Sequence, residues 1–172
     1  MLKRVSVTGP ESTGKTRLAQ WLADTYQTLW VPEYAREYLE KNGPQYTLAD
    51  VEAIARGQLQ KENRLAKKAH RVLFCDTDLL VTKIWCEVVF DRCPQWIEQH
   101  FLSHRYDLYL LCFPDLSWEP DPLRENPDNR DELFEIYRRV LNENGMPYRV
   151  IKGFGTKRFE NARTFVDEIL EP

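Results

Sequence analysis

A glycine-rich segment near the N-terminus has the residue types and spacing of a phosphate-binding loop. Residues 9–16 read Gly-Pro-Glu-Ser-Thr-Gly-Lys-Thr and match the pattern G-x-x-x-x-G-K-[ST]. Two glycines permit the tight turn that directs several backbone N–H groups at one anion. Lys15 supplies a positive charge for the outer phosphates, and the hydroxyl of Thr16 is a ligand for Mg²⁺. We expect the following residues to contact ATP or a similar nucleotide: Gly9, Glu11, Ser12, Thr13, Gly14, Lys15, Thr16 and Arg17.

Two aspartates follow an apolar run at residues 72–75 that has the composition of a buried strand. Asp76 ends this run, as the magnesium-organising aspartate of P-loop proteins does. Thr16 and Asp76 are therefore the predicted Mg²⁺ ligands. Asp78 can serve the site in a similar way, or it can be the N-cap of the next helix, and the sequence alone leaves both roles open.

A second acidic position follows the short apolar run at residues 29–32. Glu33 and Arg36 bracket a turn there, and a carboxylate beside the phosphate loop could accept the proton of a substrate hydroxyl. Asp76 is the rival base. The alternative role of Glu33 is structural, because helix N-termini favour glutamate in any case.

The segment at residues 114–130, here called the lid segment, is rich in proline and charge. A loop of this length inside a compact domain usually has a function. Arg124 and Arg130 would neutralise charge on a transferring phosphoryl group, unless they only pair with the carboxylates nearby. Trp118 would stack on a ligand or else pack against the protein.

The remaining pattern predicts one α/β domain over residues 1–172. Five strand-like runs alternate with amphipathic helices, which favours a mostly parallel sheet covered on both faces. The longest helix is predicted over residues 48–70 with Thr47 as its cap, and Thr156 is the expected cap of the last helix. Gln58 and Glu62 interrupt the apolar face of the long helix, so we expect them either to line a polar pocket or to face water.

Composition excludes several classes of function. The 172 residues are 42% hydrophobic and 30% charged, with a formal net charge of −3, which indicates a folded domain without the basic face of a nucleic-acid binder. No apolar run approaches the ~18 residues of a membrane helix, and the first residues do not form a signal segment. We therefore expect a cytoplasmic protein with a small-molecule partner and neither nucleic acid nor membrane. The sequence leaves the oligomeric state open.

Among nucleotide-binding proteins, a small kinase fits these features. The fourth strand-like run continues into Pro114 and Asp115 rather than into the N-K-x-D signature with which GTPases recognise guanine. Small kinases place a substrate pocket near the second strand and close an arginine-bearing lid over the phosphates. This arrangement supplies positioning and electrostatic stabilisation, the two effects that phosphoryl transfer mainly needs.

Longer strings of residues carry a more specific resemblance. Residues 30–38 read Trp-Val-Pro-Glu-Tyr-Ala-Arg-Glu-Tyr, residues 74–78 read Phe-Cys-Asp-Thr-Asp, and residues 118–124 read Trp-Glu-Pro-Asp-Pro-Leu-Arg. With the phosphate loop and the run at residues 106–113, these strings make nearly the whole chain resemble the ribosylnicotinamide kinase domain of bacterial NadR proteins.

The resemblance implies ATP-dependent phosphorylation of the 5′-hydroxyl of nicotinamide riboside to nicotinamide mononucleotide, a step of NAD salvage. It also implies a nucleoside-kinase-like sheet of order 2-3-1-4-5, and a loop at Gly153 and Gly155 that borders the adenine. Nicotinamide riboside is a cation with an aromatic ring, which favours carboxylates and aromatic faces. The residues expected to bind the substrate are Glu33, Arg36, Asp76, Asp78, Trp118 and Asp121.

Two other functions are also compatible with the sequence. One is a P-loop kinase for another nucleoside or small metabolite, and the other is a non-catalytic ATP-dependent switch. Full-length NadR proteins carry an adenylyltransferase domain, and some a DNA-binding domain, before the kinase. Because the first strand here starts at Lys3, we expect neither domain ahead of it.

Overall fold

The computed structural model describes residues 1–171. Its strands are β1 (Lys3–Thr8), β2 (Trp30–Val31), β3 (Val72–Asp76), β4 (Leu108–Cys112) and β5 (Tyr148–Ile151). Its helices are α1 (Lys15–Thr25), α2 (Tyr34–Asn42), α3 (Leu48–Ala66), α4 (Leu79–Phe90), α5 (Gln95–Ser103), α6 (Arg130–Glu143) and α7 (Gly155–Leu170). No helix within residues 1–171 is both long and apolar enough to cross a membrane.

The strands form one parallel sheet of order β2-β3-β1-β4-β5. The central strand β1 pairs with β3 from Lys3↔Val72 to Val7↔Asp76, and with β4 from Val5↔Leu108 to Thr8↔Leu111. Both predictions, the fold class and the strand order, are confirmed. Because all five strands run in one direction, their carboxyl ends lie at one edge of the sheet, where ligands bind in open α/β folds.

Helices cover both faces of the sheet, and each face has its own apolar core. On one face α1 and α7 pack against alternate residues of β1, β3 and β4, such as Val5 and Phe74. On the other face α3, α4, α5 and α6 pack against the intervening residues, such as Leu73 and Leu111. Every residue of β3 and β4 is buried, as expected for strands that lie between two layers of helices.

Helix ends agree with the sequence predictions at one position and differ at two. Thr47 caps α3 in a full capping box with Asp50, as predicted. The same helix ends at Ala66 rather than near residue 70, because the chain must turn back into β3, and Arg71 adopts a positive φ of 58° to do so. Thr156 is not the cap of α7, since the helix already begins at Gly155 with Phe154 at the N-cap position.

Gln58 and Glu62 neither line a pocket nor face water, contrary to both expectations. They are 3% and 0% exposed, on the side of α3 that meets the sheet. Glu62 accepts hydrogen bonds from Arg4 (2.8 Å) and from the hydroxyl of Tyr106 (2.6 Å), and lies 2.7 Å from the ring of His104. Burial opposes the charge of Glu62, but its bonds to His104 and Tyr106 and the charge of Arg4 outweigh burial and hold its pKa below the ordinary value.

We expect Glu62→Gln to lower the free energy of unfolding by about 2 kcal/mol at pH 7, because the partly buried Arg4 guanidinium would lose its counter-charge. The ordinary pKa of glutamate is 4.5, and that of Glu62 is lower in the folded protein. The stabilisation by the Glu62 charge is therefore complete above pH 4.5 and decreases as the pH falls below that value. Urea denaturation at pH 7 and at acidic pH would measure both effects. The exposed Glu160→Gln is the control, and equal stabilities for the two variants would contradict the role assigned to Glu62.

Candidate active site

The phosphate loop, residues 9–16, joins the carboxyl end of β1 to the start of α1. Gly9 and Gly14 have φ values of 130° and 76°, which side chains rarely allow. A Cβ atom on Gly9 would also lie 2.9 Å from the backbone oxygen of Cys112 on β4. Glycine is therefore required at position 9 for the loop to turn so close to the neighbouring strand.

Two features give the loop a positive field. Gly14 is the N-cap of α1, and no side chain caps the helix, so the first N–H groups of α1 are available to an anion. Lys15 extends back over its own loop, where its Nζ donates to the carbonyls of Gly9 (3.0 Å) and Pro10 (2.7 Å). The ammonium group is thus held beside the same N–H groups, in a position to exchange these carbonyls for phosphate oxygens.

Asp76 and Thr16 lie together at the ends of β3 and of the phosphate loop. The Thr16 hydroxyl donates to Asp76 Oδ2 at 2.5 Å, while Asp76 Oδ1 is buried without a hydrogen-bond partner in the described part of the chain. Burial, and secondarily the charge of Glu33, raises the pKa of Asp76 to about 7. Two hard oxygen donors, one of them unsatisfied, suit Mg²⁺, and a bound cation would favour the ionised carboxylate.

Glu33 stands at the N-cap position of α2, yet its side chain makes no cap hydrogen bond. The backbone N–H of Tyr34 instead donates to Gln58 Oε1 at 2.7 Å, and Gln58 Nε2 contacts the carbonyl of Asp76 at 3.4 Å. The buried amide of Gln58 therefore connects the start of α2 to the end of β3. This leaves the Glu33 carboxylate free to face the site.

The lid segment is fastened to the phosphate loop by three side chains. Glu11 accepts the backbone N–H groups of Glu125 and Asn126, each at 3.0 Å. Ser12 Oγ accepts the N–H of Glu119 at 3.0 Å. Arg130, which the sequence predicts to contact phosphate, donates to the carbonyls of Ser12 and Leu116, each at 2.9 Å. It therefore connects the phosphate loop to the lid segment.

On the opposite side, the lid segment is held by residues of α2 and the loop that follows it. Arg36 pairs with Asp121 at 3.1 Å. The hydroxyl of Tyr46 donates to Glu125 at 2.6 Å, and burial together with this bond raises the pKa of Tyr46 to about 12, so the hydroxyl stays protonated. Within the lid, Arg124 donates to the carbonyl of Glu119, and its guanidinium lies 5.9 Å from the Trp118 ring.

A single cavity of about 500 Å³ lies between the phosphate loop, the lid segment, α2 and α4. Some of the predicted site residues line it, namely Gly9, Glu11, Ser12, Thr13, Gly14, Lys15, Thr16, Arg17, Glu33, Arg36 and Arg124. Asp76 lies beneath its surface, in contact through Thr16. Four others lie around it rather than on its wall: Asp78, Trp118, Asp121 and Arg130.

Of the two roles predicted for Asp78, site residue and helix N-cap, the structure shows the N-cap. It caps α4 through the N–H of Val81 (3.2 Å), accepts the hydroxyl of Ser6 at 2.9 Å and is 2% exposed. Burial raises its pKa to about 6, against the effect of these bonds. Gly153 and Gly155 follow β5, away from the cavity wall, with φ values of 93° and 55°.

The far end of the cavity is lined by aromatic rings, with the carboxylate of Glu125 beside them. The rings of Tyr46 and Trp85 meet edge to face with centroids 4.8 Å apart, and Tyr137 lies nearby on the wall. Glu33, Glu119 and Glu125 also line the cavity. Sequence reasoning missed Tyr46, Glu125 and the site role of Trp85, because an aromatic residue in a helix or after a turn has no local signal that separates ligand contact from packing.

The profile of an AAA domain family matches residues 4–158. The chain belongs to this family. It is also similar to two proteins named "Trifunctional NAD biosynthesis/regulator protein NadR", which confirms the resemblance in the motifs. Identity is 29% to the Escherichia coli protein, over 98% of this chain and 43% of that one. Identity is 28% to the Salmonella typhimurium protein, over 88% of this chain and 38% of that one. The chain thus spans less than half the length of either relative.

Solved structures of NadR proteins and of a nucleoside kinase are also similar to this chain. A NadR structure in complex with NR superposes with a TM-score of 0.87 and 26% identity, over 99% of this chain and 51% of that one. A NadR structure in complex with NAD and AMP-PNP has a TM-score of 0.79 and 28% identity, over 98% and 49% of the two chains. A deoxyadenosine kinase from M. mycoides, 12% identical with a TM-score of 0.63 over 96% and 99% of the two chains, shares the fold.

We expect Lys15→Ala to weaken ATP binding at least about tenfold, because charged hydrogen bonds to the outer phosphates would be lost. Isothermal titration calorimetry with AMP-PNP and Mg²⁺ would measure the change. Lys68→Ala, an exposed lysine remote from the loop, is the matched control. Unchanged affinity in Lys15→Ala would show that the loop does not bind phosphate as its geometry indicates.

Proposed function

We propose that this AAA-domain chain is an ATP-dependent kinase that phosphorylates nicotinamide riboside at its 5′-hydroxyl. The observation that carries the proposal is the shape of the cavity. One continuous space runs from the phosphate loop to an end that is both aromatic and acidic. A donor and an acceptor bound in this space would place a phosphoryl group and a hydroxyl next to each other, which is the main requirement of phosphoryl transfer.

The donor half of the cavity suits the triphosphate of ATP. The N–H groups at the start of α1 and the ammonium of Lys15 would hold the phosphate oxygens. Arg124 lines the cavity from the lid segment, where its guanidinium would neutralise charge that develops on the transferred group. Thr16 and Asp76 would hold Mg²⁺, which when bound supplies charge neutralisation to the phosphates.

The acceptor half suits a cationic, aromatic nucleoside. Nicotinamide riboside carries a positive ring, and the Tyr46 and Trp85 rings offer faces on which such a ring is attracted. The carboxylate of Glu125, which accepts the Tyr46 hydroxyl, adds a complementary charge beside these rings. A neutral nucleoside would gain less from this combination, so the composition of the wall favours nicotinamide riboside.

Two carboxylates are placed to receive the proton of the acceptor hydroxyl. Glu33 lines the cavity without a cap bond, and Asp76 lies beneath the phosphate loop. We assign Asp76 to the cation and Glu33 to the acceptor, because the free oxygen of Asp76 is buried next to Thr16 whereas Glu33 is open to the cavity. The similarity to NadR, known in structures with NR and with AMP-PNP, supports both halves of the proposal.

A panel of acceptors with ATP and Mg²⁺ tests the proposed function. We expect nicotinamide riboside to be phosphorylated with a kcat/KM at least about tenfold above that of cytidine, uridine or adenosine, since only the cationic ring gains from the aromatic and acidic wall. Product formation would be followed by chromatography. Preferential turnover of a neutral nucleoside would reject the acceptor, and slow ATP hydrolysis with every acceptor would favour a nucleotide-dependent switch.

We expect Asp76→Asn to lower kcat more than Glu33→Gln does, because loss of the cation-ordering charge affects both the donor and the transferred group. The isosteric amides preserve size in both variants. Steady-state kinetics at saturating Mg²⁺ would compare them. The reverse order would identify Glu33 as the principal group and leave Asp76 a lesser role.

A further inference from the structure

Arg158, on the first turns of α7, lies behind the phosphate loop at a meeting point of three segments. It is 3% exposed and stands outside the cavity wall. One terminal nitrogen, Nη2, donates to the carbonyls of Thr13 and Phe113, each at 3.0 Å. The other, Nη1, donates to Asp115 Oδ1 at 2.5 Å and to the carbonyl of Gly153 at 3.1 Å. A single guanidinium thus binds the phosphate loop and the segments that follow β4 and β5.

The bond to Thr13 fixes the direction of one peptide of the phosphate loop. In a trans peptide the C=O and the following N–H point in opposite directions. Because the Thr13 carbonyl points back at Arg158, the N–H of Gly14 points away from it, and Gly14 lines the cavity. Arg158 therefore orients a backbone donor that faces the phosphates without touching them itself.

Asp115 extends the same contact to the loop after β5. Its Oδ1 pairs with Arg158, and its Oδ2 accepts the N–H of Gly153 at 2.7 Å. Gly153 therefore has both its N–H and its C=O bound to one ion pair. At a φ of 93° this residue has wide conformational freedom, so the pair determines where the loop at residues 153–155 lies.

We infer that Arg158 and Asp115 are positioning residues for the nucleotide: through one partly buried ion pair they fix the phosphate loop and the loop at residues 153–155 relative to each other. The inference rests on the proposed binding of ATP, with its adenine bordered by residues 153–155, and adds two residues that act through the backbone. It needs no contact between either side chain and the ligand.

Lysine at position 158 cannot reproduce the arrangement. The guanidinium is a planar fork whose two ends reach acceptors on different segments, whereas an ammonium is a point charge at the end of a flexible chain. Arg158→Lys keeps the charge opposite Asp115 but gives up the simultaneous contacts with Thr13, Phe113 and Gly153. The variant therefore separates the orienting effect from the charge.

Calorimetric titration of the chain with AMP-PNP and with inorganic tripolyphosphate, both with Mg²⁺, tests the inference. We expect Arg158→Lys to raise the Kd of both ligands about tenfold, because the Gly14 donor loses its fixed direction. Asp115→Asn should raise the Kd of AMP-PNP more than that of tripolyphosphate, since Asp115 binds the base-side loop. Arg149→Lys, which alters an exposed pair between Arg149 on β5 and Glu168 on α7, is the matched control and should leave both affinities unchanged.

Steady-state kinetics distinguish a positioning role from a purely structural one, because a purely structural defect would not change the KM for ATP selectively. Arg158→Lys should raise the KM for ATP about tenfold and leave the KM for nicotinamide riboside within about twofold. Titrations and assays are run well below the Tm of each variant. If Arg158→Lys does not fold, the affinities of Asp115→Asn for the two ligands test the inference instead. Unchanged affinity for AMP-PNP, or an equal rise in both KM values, would overturn the inference.

The outcomes separate this inference from the proposed function. A wild-type chain that does not bind AMP-PNP would overturn both. A wild-type chain that binds AMP-PNP but does not phosphorylate nicotinamide riboside would overturn only the acceptor, and the titrations with AMP-PNP and tripolyphosphate would still decide the role of the ion pair.

Discussion

The parallel pairing of β1 with β3 on one side and β4 on the other is the constraint on which the site depends. Its hydrogen bonds bring Gly9, Asp76 and the segment after Cys112 to the same edge of the sheet. The requirement for glycine next to the Cys112 carbonyl follows directly from this closeness. Without that register, neither a cation site at Asp76 nor a lid after β4 would lie beside the phosphate loop.

Charge is distributed unevenly along the cavity. At one end the α1 N-terminus and Lys15 favour a polyanion, while at the other the carboxylate of Glu125 accompanies the Tyr46 and Trp85 rings. Buried hydrogen bonds keep these groups in place: Gln58 connects α2 to β3, and Arg158 connects three segments behind the loop. Gln58 and Arg158 thus shape the site without lining its cavity.

The sequence predicted the alternation of strands and helices, the loop between β1 and α1, and Asp76 at the end of β3, because each depends on local spacing. It did not predict the environment of Glu62, whose partners Arg4 and Tyr106 are far away in the chain, nor the burial of Arg158 in a polar stretch of α7. Asp78 had two local roles with the same signature, and only its burial and its tertiary contact with Ser6 distinguish them. Long-range polar contacts leave no periodic pattern in a sequence, so the sequence could not reveal these contacts.

The fastening of the lid segment at both of its margins has a consequence for how ligands leave. Glu11 of the phosphate loop holds the backbone at Glu125, and Tyr46 of the loop after α2 holds the side chain of that same residue. Any displacement of Glu125 therefore breaks both attachments together. A ligand that enters or leaves past Glu125 must therefore wait until two hydrogen bonds have broken at once.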